Sequence, residues 1–122
     1  MYAYNLYKVI HLFGMVLIFT SLGGLAAHAA SGGTKESNSS RRLLGIGHGL
    51  GLVLMIVAGF GLLGLTGASM ASGWVWGKLL IWLFMGAASA LPYRSQAMAR
   101  SLLLILPVLG ALAAYLAIFK PF

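Results

Sequence analysis

The chain has 122 residues, of which 61% are hydrophobic and only 7% are charged. Soluble domains carry about 25% charged residues, so this composition indicates an integral membrane protein. The net charge of +7 comes from sparse Lys and Arg residues that flank apolar runs rather than forming a patch. That distribution argues against a nucleic-acid partner. The sequence contains no Cys, which excludes disulfides and thiolate metal sites.

Four apolar runs follow one another along the chain, each long enough for a transmembrane helix of about 20 residues. They cover about residues 4–30, 42–65, 74–91 and 101–119. Pro92 ends the third run, because Pro disfavours helix in the residue before it. The sequence therefore predicts an all-α, four-helix transmembrane bundle with antiparallel up-down topology. A single membrane domain covers residues 1–122 and leaves no room for a separate catalytic domain.

The first run has an alternative interpretation as a secretory signal peptide. Lys8, the apolar stretch and Ala27-His28-Ala29 resemble the three parts of such a peptide. Because the sequence retains this segment from Met1, we expect it to be a membrane span.

The basic residues predict the orientation of the bundle. Five of them lie in or beside the first and third connections, which share one side of a four-span protein: Lys35, Arg41, Arg42, Arg94 and Arg100. The positive-inside rule places that side in the cytoplasm of a cell membrane, so both termini face outward. Aromatic residues then form an interfacial belt at the outer side: Tyr2, Tyr4, Tyr7, Trp74, Trp76, Phe119 and Phe122.

Three ionisable residues, His11, His48 and Lys78, lie within the apolar runs. Such groups are costly in lipid and indicate function, so all three are candidate cofactor-binding residues. His11 and Lys78 should lie at a similar depth in the outer half, whereas His48, together with His28, lies toward the inner side. At about 1.5 Å per residue, His11 and His48 are about 17 Å apart along the membrane normal. That separation is too large for both to bind one metal ion or one haem iron.

The His11 and Lys78 pair suits haem chemistry, because a neutral imidazole can bind the iron and a cation can meet a propionate. Candidates for a second axial ligand are Met15, Met55 and Met85. Structural alternatives remain open at each position. Lys78 could extend to the membrane interface, and His11 or His48 could only form a hydrogen bond with a neighbouring helix.

Glycine spacing predicts close helix packing. Gly45/Gly49 and Gly47/Gly51 are two overlapping GxxxG pairs on the second span, and small residues let helix backbones approach in lipid. The motif is common in bundles and does not by itself specify a dimer.

Short motifs in three spans resemble those of a known family. They are Lys8-Val9-Ile10-His11, Arg41-Arg42-Leu43-Leu44, and Gly73-Trp74 followed by Lys78-Leu79-Leu80-Ile81. Together they resemble the HemJ-type membrane protoporphyrinogen oxidases and related small four-span haem proteins of the copper-resistance D and SirB-like groups. The resemblance implies a b-type haem with His11 as axial ligand and Lys78 in the same site.

The chain departs from that family at three places. These are the sequence SLGGLAAHAA at the end of the first span, Leu91-Pro92-Tyr93 in place of a His, and His48 near an expected Pro. These departures weaken the expectation of oxidase activity more than the expectations of the fold and of haem binding.

The leading functional hypothesis is a haem-binding membrane protein with a role in redox or tetrapyrrole chemistry. The main alternative is a non-catalytic accessory subunit of a larger membrane complex. For partners, we expect the lipid bilayer together with either a homo-oligomer or a larger membrane complex. A small transporter or channel is less well supported, because no acidic coupling group lies in a span.

Overall fold

A computed structural model describes residues 2–122 as an all-α structure. Within that range the helices are α1 (Tyr2–Ala30), α2 (Arg41–Thr66), α3 (Gly73–Ala87) and α4 (Gln96–Phe119). Two short 3-10 turns, Ala88–Ala90 and Pro92–Arg94, join α3 to α4, and residues 2–122 contain no strand. The predicted all-α four-helix bundle is confirmed.

Four segments have the length and composition of membrane spans: α1, α2, α4, and α3 together with the two 3-10 turns, Gly73–Arg94. Large apolar side chains are exposed along the helices; Leu104 and Leu43, for example, are 75% and 71% exposed. A soluble monomer rarely exposes so much continuous apolar surface, whereas lipid contact accounts for it directly. The molecule therefore has the surface of a multi-pass membrane protein in contact with lipid.

Contacts between distant segments establish the antiparallel arrangement. At one end, the Tyr7 ring lies against Gly61, and the Gly73 N–H donates to the Phe122 carbonyl at 2.9 Å. At the other end, His28 contacts Tyr93. We call these the terminal end, which holds both termini and connection 66–73, and the loop end, which holds connections 31–40 and 88–95. The predicted aromatic belt lies at the terminal end.

Glycines bring α1 and α2 into the closest contact of any helix pair. A Cβ on Gly14 would lie 2.9 Å from the Gly51 carbonyl oxygen, and one on Gly51 would lie 2.8 Å from the Gly14 carbonyl oxygen. Both distances are below van der Waals contact, so only glycine fits at either position. Gly47 also packs closely, on the Ser21 side-chain hydroxyl, whereas Gly45 and Gly49 have open space beside them.

Helix α3 ends at Ala87, before the predicted end of the span at Leu91. The reason lies in Pro92, which has no N–H to donate to the carbonyl four residues earlier. That carbonyl, on Ala88, instead accepts from the Leu91 N–H at 3.0 Å, so the chain tightens into a 3-10 turn.

Helix α4 begins at Gln96, earlier than the predicted start at Ser101. Ser95 provides the reason, because its hydroxyl oxygen accepts from the Met98 N–H at 3.0 Å and caps the helix. The segment expected to be a basic connection is therefore partly helical. Helix α4 then continues through Pro107 to Phe119.

The buried core lies in the middle of the bundle and toward the loop end. It joins α1, the end of α3 and the first half of α4 through apolar side chains: Ile18, Leu22, Ala26, Met85, Ala88, Leu102 and Leu106. The half of the bundle nearer the terminal end contributes few fully buried side chains. His11 and Lys78 lie in that less densely packed half.

Candidate functional site

His11 is held at the interface between α1 and α2 by one hydrogen bond. Its Nδ1 lies 2.8 Å from the carbonyl oxygen of Met55. A carbonyl can only accept, so Nδ1 carries the proton, and in a neutral ring Nε2 then has the free lone pair. Gly59, one turn after Met55, leaves room for the ring, since a Cβ there would lie 3.2 Å from His11 Cε1. The imidazole is thus oriented with one nitrogen available to a ligand.

Lys78 brings a positive charge into the same half of the bundle. Its charge acts on the His11 ring, and both residues lie in the half of the bundle nearer the terminal end. The only acidic side chain in the sequence, Glu36, lies in connection 31–40 at the opposite end. No side-chain carboxylate is therefore present to neutralise Lys78. Lys120 also acts on Lys78, and its Nζ lies 5.3 Å from the centre of the Trp74 ring.

A small cavity lies between the helices beside Lys78. Its volume is about 30 Å³, and its lining includes all three methionines considered as axial ligands, Met15, Met55 and Met85, together with Trp82. A cavity of this size holds one or two water molecules. Met and Lys side chains line the cavity and His11 does not, and a tetrapyrrole does not fit inside the bundle without movement of the helices.

His48 is buried and forms a hydrogen bond with the backbone of α3. Its Nε2 lies 2.9 Å from the Met85 carbonyl oxygen, to which it donates. Met85 is among the last four residues of α3, whose carbonyls lack helical partners. Ser89 supplies a second donor to this helix end, at 3.4 Å from the Gly86 carbonyl oxygen. Because water is absent in the membrane interior, such capping replaces solvent hydrogen bonds.

The structure does not bring His48 to His11. His11 lies level with Met55 and Gly59 on α2, which follow His48 by roughly 10–16 Å at 1.5 Å per residue. A single small ligand cannot reach both imidazoles. A cofactor role for His48 stays a prediction, while its hydrogen bond already gives it a structural role.

Trp82 adds a connection that the sequence did not reveal. Its indole N–H donates to the Leu52 carbonyl oxygen at 3.1 Å. With the bond from His48 to Met85, it ties α2 to α3, which are otherwise loosely packed. Lys78 and Trp82 are four residues apart on one face of α3, and both line the cavity. No sequence signal, however, indicates that a backbone carbonyl is the partner.

His28 forms a separate polar cluster at the loop end. Its Nδ1 lies 2.8 Å from the Tyr93 hydroxyl, and its Nε2 lies 3.3 Å from the Ser37 hydroxyl. Asn38 donates to the same Tyr93 oxygen at 2.9 Å. In the neutral ring, the Tyr93 hydroxyl donates to Nδ1 and Nε2 donates to Ser37. The cluster fixes connection 31–40 over the end of α1 and gives His28 a structural role.

Among residues 2–122, no three His, Cys, Asp or Glu side chains come together in a group that could hold a metal ion. Comparison of the chain with protein-family models, curated proteins and solved structures finds no match in any of the three. The similarity to the HemJ-type family therefore stays a prediction based on the short motifs.

Proposed function

We propose that this protein binds a b-type haem in the membrane, with His11 as an axial ligand, and takes part in redox or tetrapyrrole chemistry. The observation that carries the proposal is the hydrogen bond from His11 Nδ1 to the Met55 carbonyl oxygen. Histidines that bind metals almost always donate their second ring nitrogen to such an acceptor, which orients the ring and increases its basicity.

The small number of ligands favours haem over a bare metal ion. A structural zinc ion needs four protein ligands and a catalytic one needs three, and no such group exists in the described chain. A porphyrin supplies four nitrogens itself, so one or two protein ligands are sufficient. His11 meets that smaller requirement, and Met15, Met55 and Met85, which line one cavity with Lys78, would be candidates for a second ligand.

Lys78 contributes the charge that a haem requires. Its ammonium has no acidic side chain nearby, and a haem propionate would supply the missing negative charge. When bound, the haem would supply one-electron chemistry. The role of this chain is to hold the ring, orient the iron ligand and balance the propionate.

Haem uptake requires the helices to separate, because the cavity of about 30 Å³ is far too small for the macrocycle. Helices α2 and α3 are the most loosely packed neighbours in the bundle. Separation of these two helices there breaks the hydrogen bond from Trp82 to Leu52 but few other contacts, so we place the opening between them in the half that contains Lys78.

A visible absorption spectrum tests the proposal. The purified chain, supplied with haem, is expected to show a Soret band that His11→Ala abolishes and His28→Ala preserves. Lys78→Gln should weaken haem binding by about 10–100-fold, since hydrogen bonds to charged groups contribute about 1.5–3 kcal/mol. Circular dichroism of each variant verifies that the helices are retained. Absence of a Soret band in the unaltered chain, or an unchanged band in His11→Ala, contradicts the proposal.

The accessory-subunit hypothesis has one supporting observation of its own. Gly45 and Gly49 form an exposed surface of α2 on which a Cβ would meet nothing within 4 Å. Another helix could therefore approach this surface closely. A chain that takes up no haem but copurifies with a different membrane protein would favour this alternative.

The proposed orientation follows from charge. Lys35, Arg41, Arg42, Arg94 and Arg100 lie at the loop end, whereas Lys8 and Lys120 lie at the terminal end. We assign the loop end to the cytoplasm and both termini to the outer side of a cell membrane, following the positive-inside rule.

A further inference from the structure

A second cavity, distinct from the one beside Lys78, opens at the loop end of the bundle. Its volume is about 320 Å³, which lies at the lower end of the range for small-molecule sites, about 300–1,000 Å³. It lies where α1 ends, where the 3-10 turns lead into α4, and where the spans leave the apolar part of the chain. We call it the loop-end cavity.

Polar groups line much of the loop-end cavity. The lining includes Tyr93, Ser95, Gln96 and the backbone of Gly32 and Gly33. The Gln96 amide nitrogen donates only a long bond, 3.4 Å, to the Ala30 carbonyl oxygen, and it has a second N–H. The Ser95 oxygen accepts from the Met98 N–H, which leaves its own hydroxyl hydrogen free to donate. The cavity therefore presents hydrogen-bond donors to a ligand.

Backbone geometry keeps the cavity open on the α1 side. Gly32 has φ +91°, a conformation that other residues rarely adopt, and a Cβ there would lie 3.3 Å from the Gln96 amide nitrogen. Gly33 similarly leaves no space for a side chain, because a Cβ would overlap the His28 ring. At Gly32 and Gly33 the cavity is therefore lined by backbone atoms alone.

Three exposed cations lie close in sequence to the residues that line the loop-end cavity, although none of them lines it. Arg94 lies between two lining residues in sequence, Arg100 lies one helical turn after Gln96 on the same face of α4, and Lys35 follows Gly33 by two residues. Arg94, Arg100 and Lys35 are exposed, and the only acidic side chain in this region is Glu36. The excess of positive charge favours an anionic ligand.

We propose that the loop-end cavity binds the phosphate-bearing headgroup of an anionic phospholipid. The apolar outer surface of the spans begins beside the cavity, so acyl chains can follow the helices while the headgroup occupies the polar opening. Each Lys or Arg near a membrane surface strengthens binding of anionic lipid by about fivefold. The binding does not depend on haem or on His11.

Lipid retention by the purified full chain tests this inference. The chain in neutral detergent is mixed with equal amounts of phosphatidylglycerol and phosphatidylcholine with the same acyl chains, and bound lipid is counted by native mass spectrometry. We expect phosphatidylglycerol to be retained at least fivefold in preference. The double variant Arg94→Gln, Arg100→Gln should lose at least tenfold in affinity.

Two further variants distinguish lipid binding in the loop-end cavity from general electrostatic attraction to the chain. Lys8→Gln, Lys120→Gln removes the same charge at the terminal end and should change affinity less than twofold. Gln96→Leu removes a donor but no charge and should weaken binding about threefold. Equal retention of the two lipids, or equal loss in both double variants, overturns the inference. Displacement of the lipid by an equal concentration of inorganic phosphate overturns it too, since the ligand would then be a free anion.

Discussion

At the residue scale, two imidazoles form similar hydrogen bonds with different consequences. His11 donates to Met55, whose carbonyl lies in the middle of α2 and is already part of the helical hydrogen-bond pattern. His48 donates to Met85, whose carbonyl lies near the end of α3. Loss of His48 therefore leaves a backbone acceptor without a donor, whereas loss of His11 does not. His48 therefore stabilises the end of α3, whereas the hydrogen bond of His11 satisfies no otherwise unpaired backbone group.

This difference predicts the effects of two matched substitutions. His48→Leu should lower the free energy of unfolding by about 1–2 kcal/mol, because the Met85 carbonyl remains buried without its donor. His11→Leu should cost less than half as much. His48→Gln should restore part of the loss, since its amide nitrogen can occupy the position of Nε2. Thermal unfolding in detergent, followed by circular dichroism, measures all three. Equal stability of His48→Leu and the unaltered chain would refute the capping role.

At the element scale, the α1–α2 pair shows what the glycine pattern could and could not predict. The overlapping pairs Gly45/Gly49 and Gly47/Gly51 differ by two positions, which is about 200° around a helix, so they face nearly opposite directions. Both are equally good packing motifs by sequence. Only the position of α1 decides that Gly47 and Gly51 face inward while the other pair faces outward. Gly14, the partner on α1, belongs to no such motif.

The same substitution at two neighbouring glycines of α2 tests this packing. Gly51→Ala places a Cβ 2.8 Å from the Gly14 carbonyl oxygen and should destabilise the bundle by about 1–3 kcal/mol. Gly49→Ala meets no neighbour and should be neutral or stabilise by up to about 1 kcal/mol, because Ala has the higher helix propensity. Unfolding in mixed micelles compares the two. Indistinguishable variants would mean that α1 and α2 do not pack at Gly51.

At the scale of the whole molecule, the four-helix fold could be predicted from hydropathy, because each apolar run is nearly continuous and the connections between runs are short. The depth of His11 and Lys78 followed from the direction of each span. Hydrogen-bond partners could not be predicted, because the acceptors of His11, His48 and Trp82 are backbone carbonyls, which every residue possesses. The contact between His28 and Tyr93 joins residues far apart in sequence that no shared pattern connects.

The orientation of the molecule is open to direct measurement. Because the chain contains no Cys, single cysteines can be introduced at exposed positions of the two ends. Met70→Cys at the terminal end should react with a membrane-impermeant maleimide in intact cells. Ser39→Cys at the loop end should react only after the membrane is permeabilised. The reverse pattern would contradict the orientation, and each variant serves as the control for the other.

The division of contacts between the two halves of the chain has a consequence for biogenesis. Helices α1 and α2 are consecutive in the chain and pack closely on each other through their glycines. We therefore expect this first hairpin to form while the ribosome is still producing α3. At that stage His48 has no Met85 carbonyl and His28 has no Tyr93 hydroxyl. Polar groups without partners in lipid favour association with a helix that satisfies them. His28 keeps Ser37 as a partner within the hairpin, so we expect the buried His48 imidazole to be the group that favours association of the early hairpin with α3.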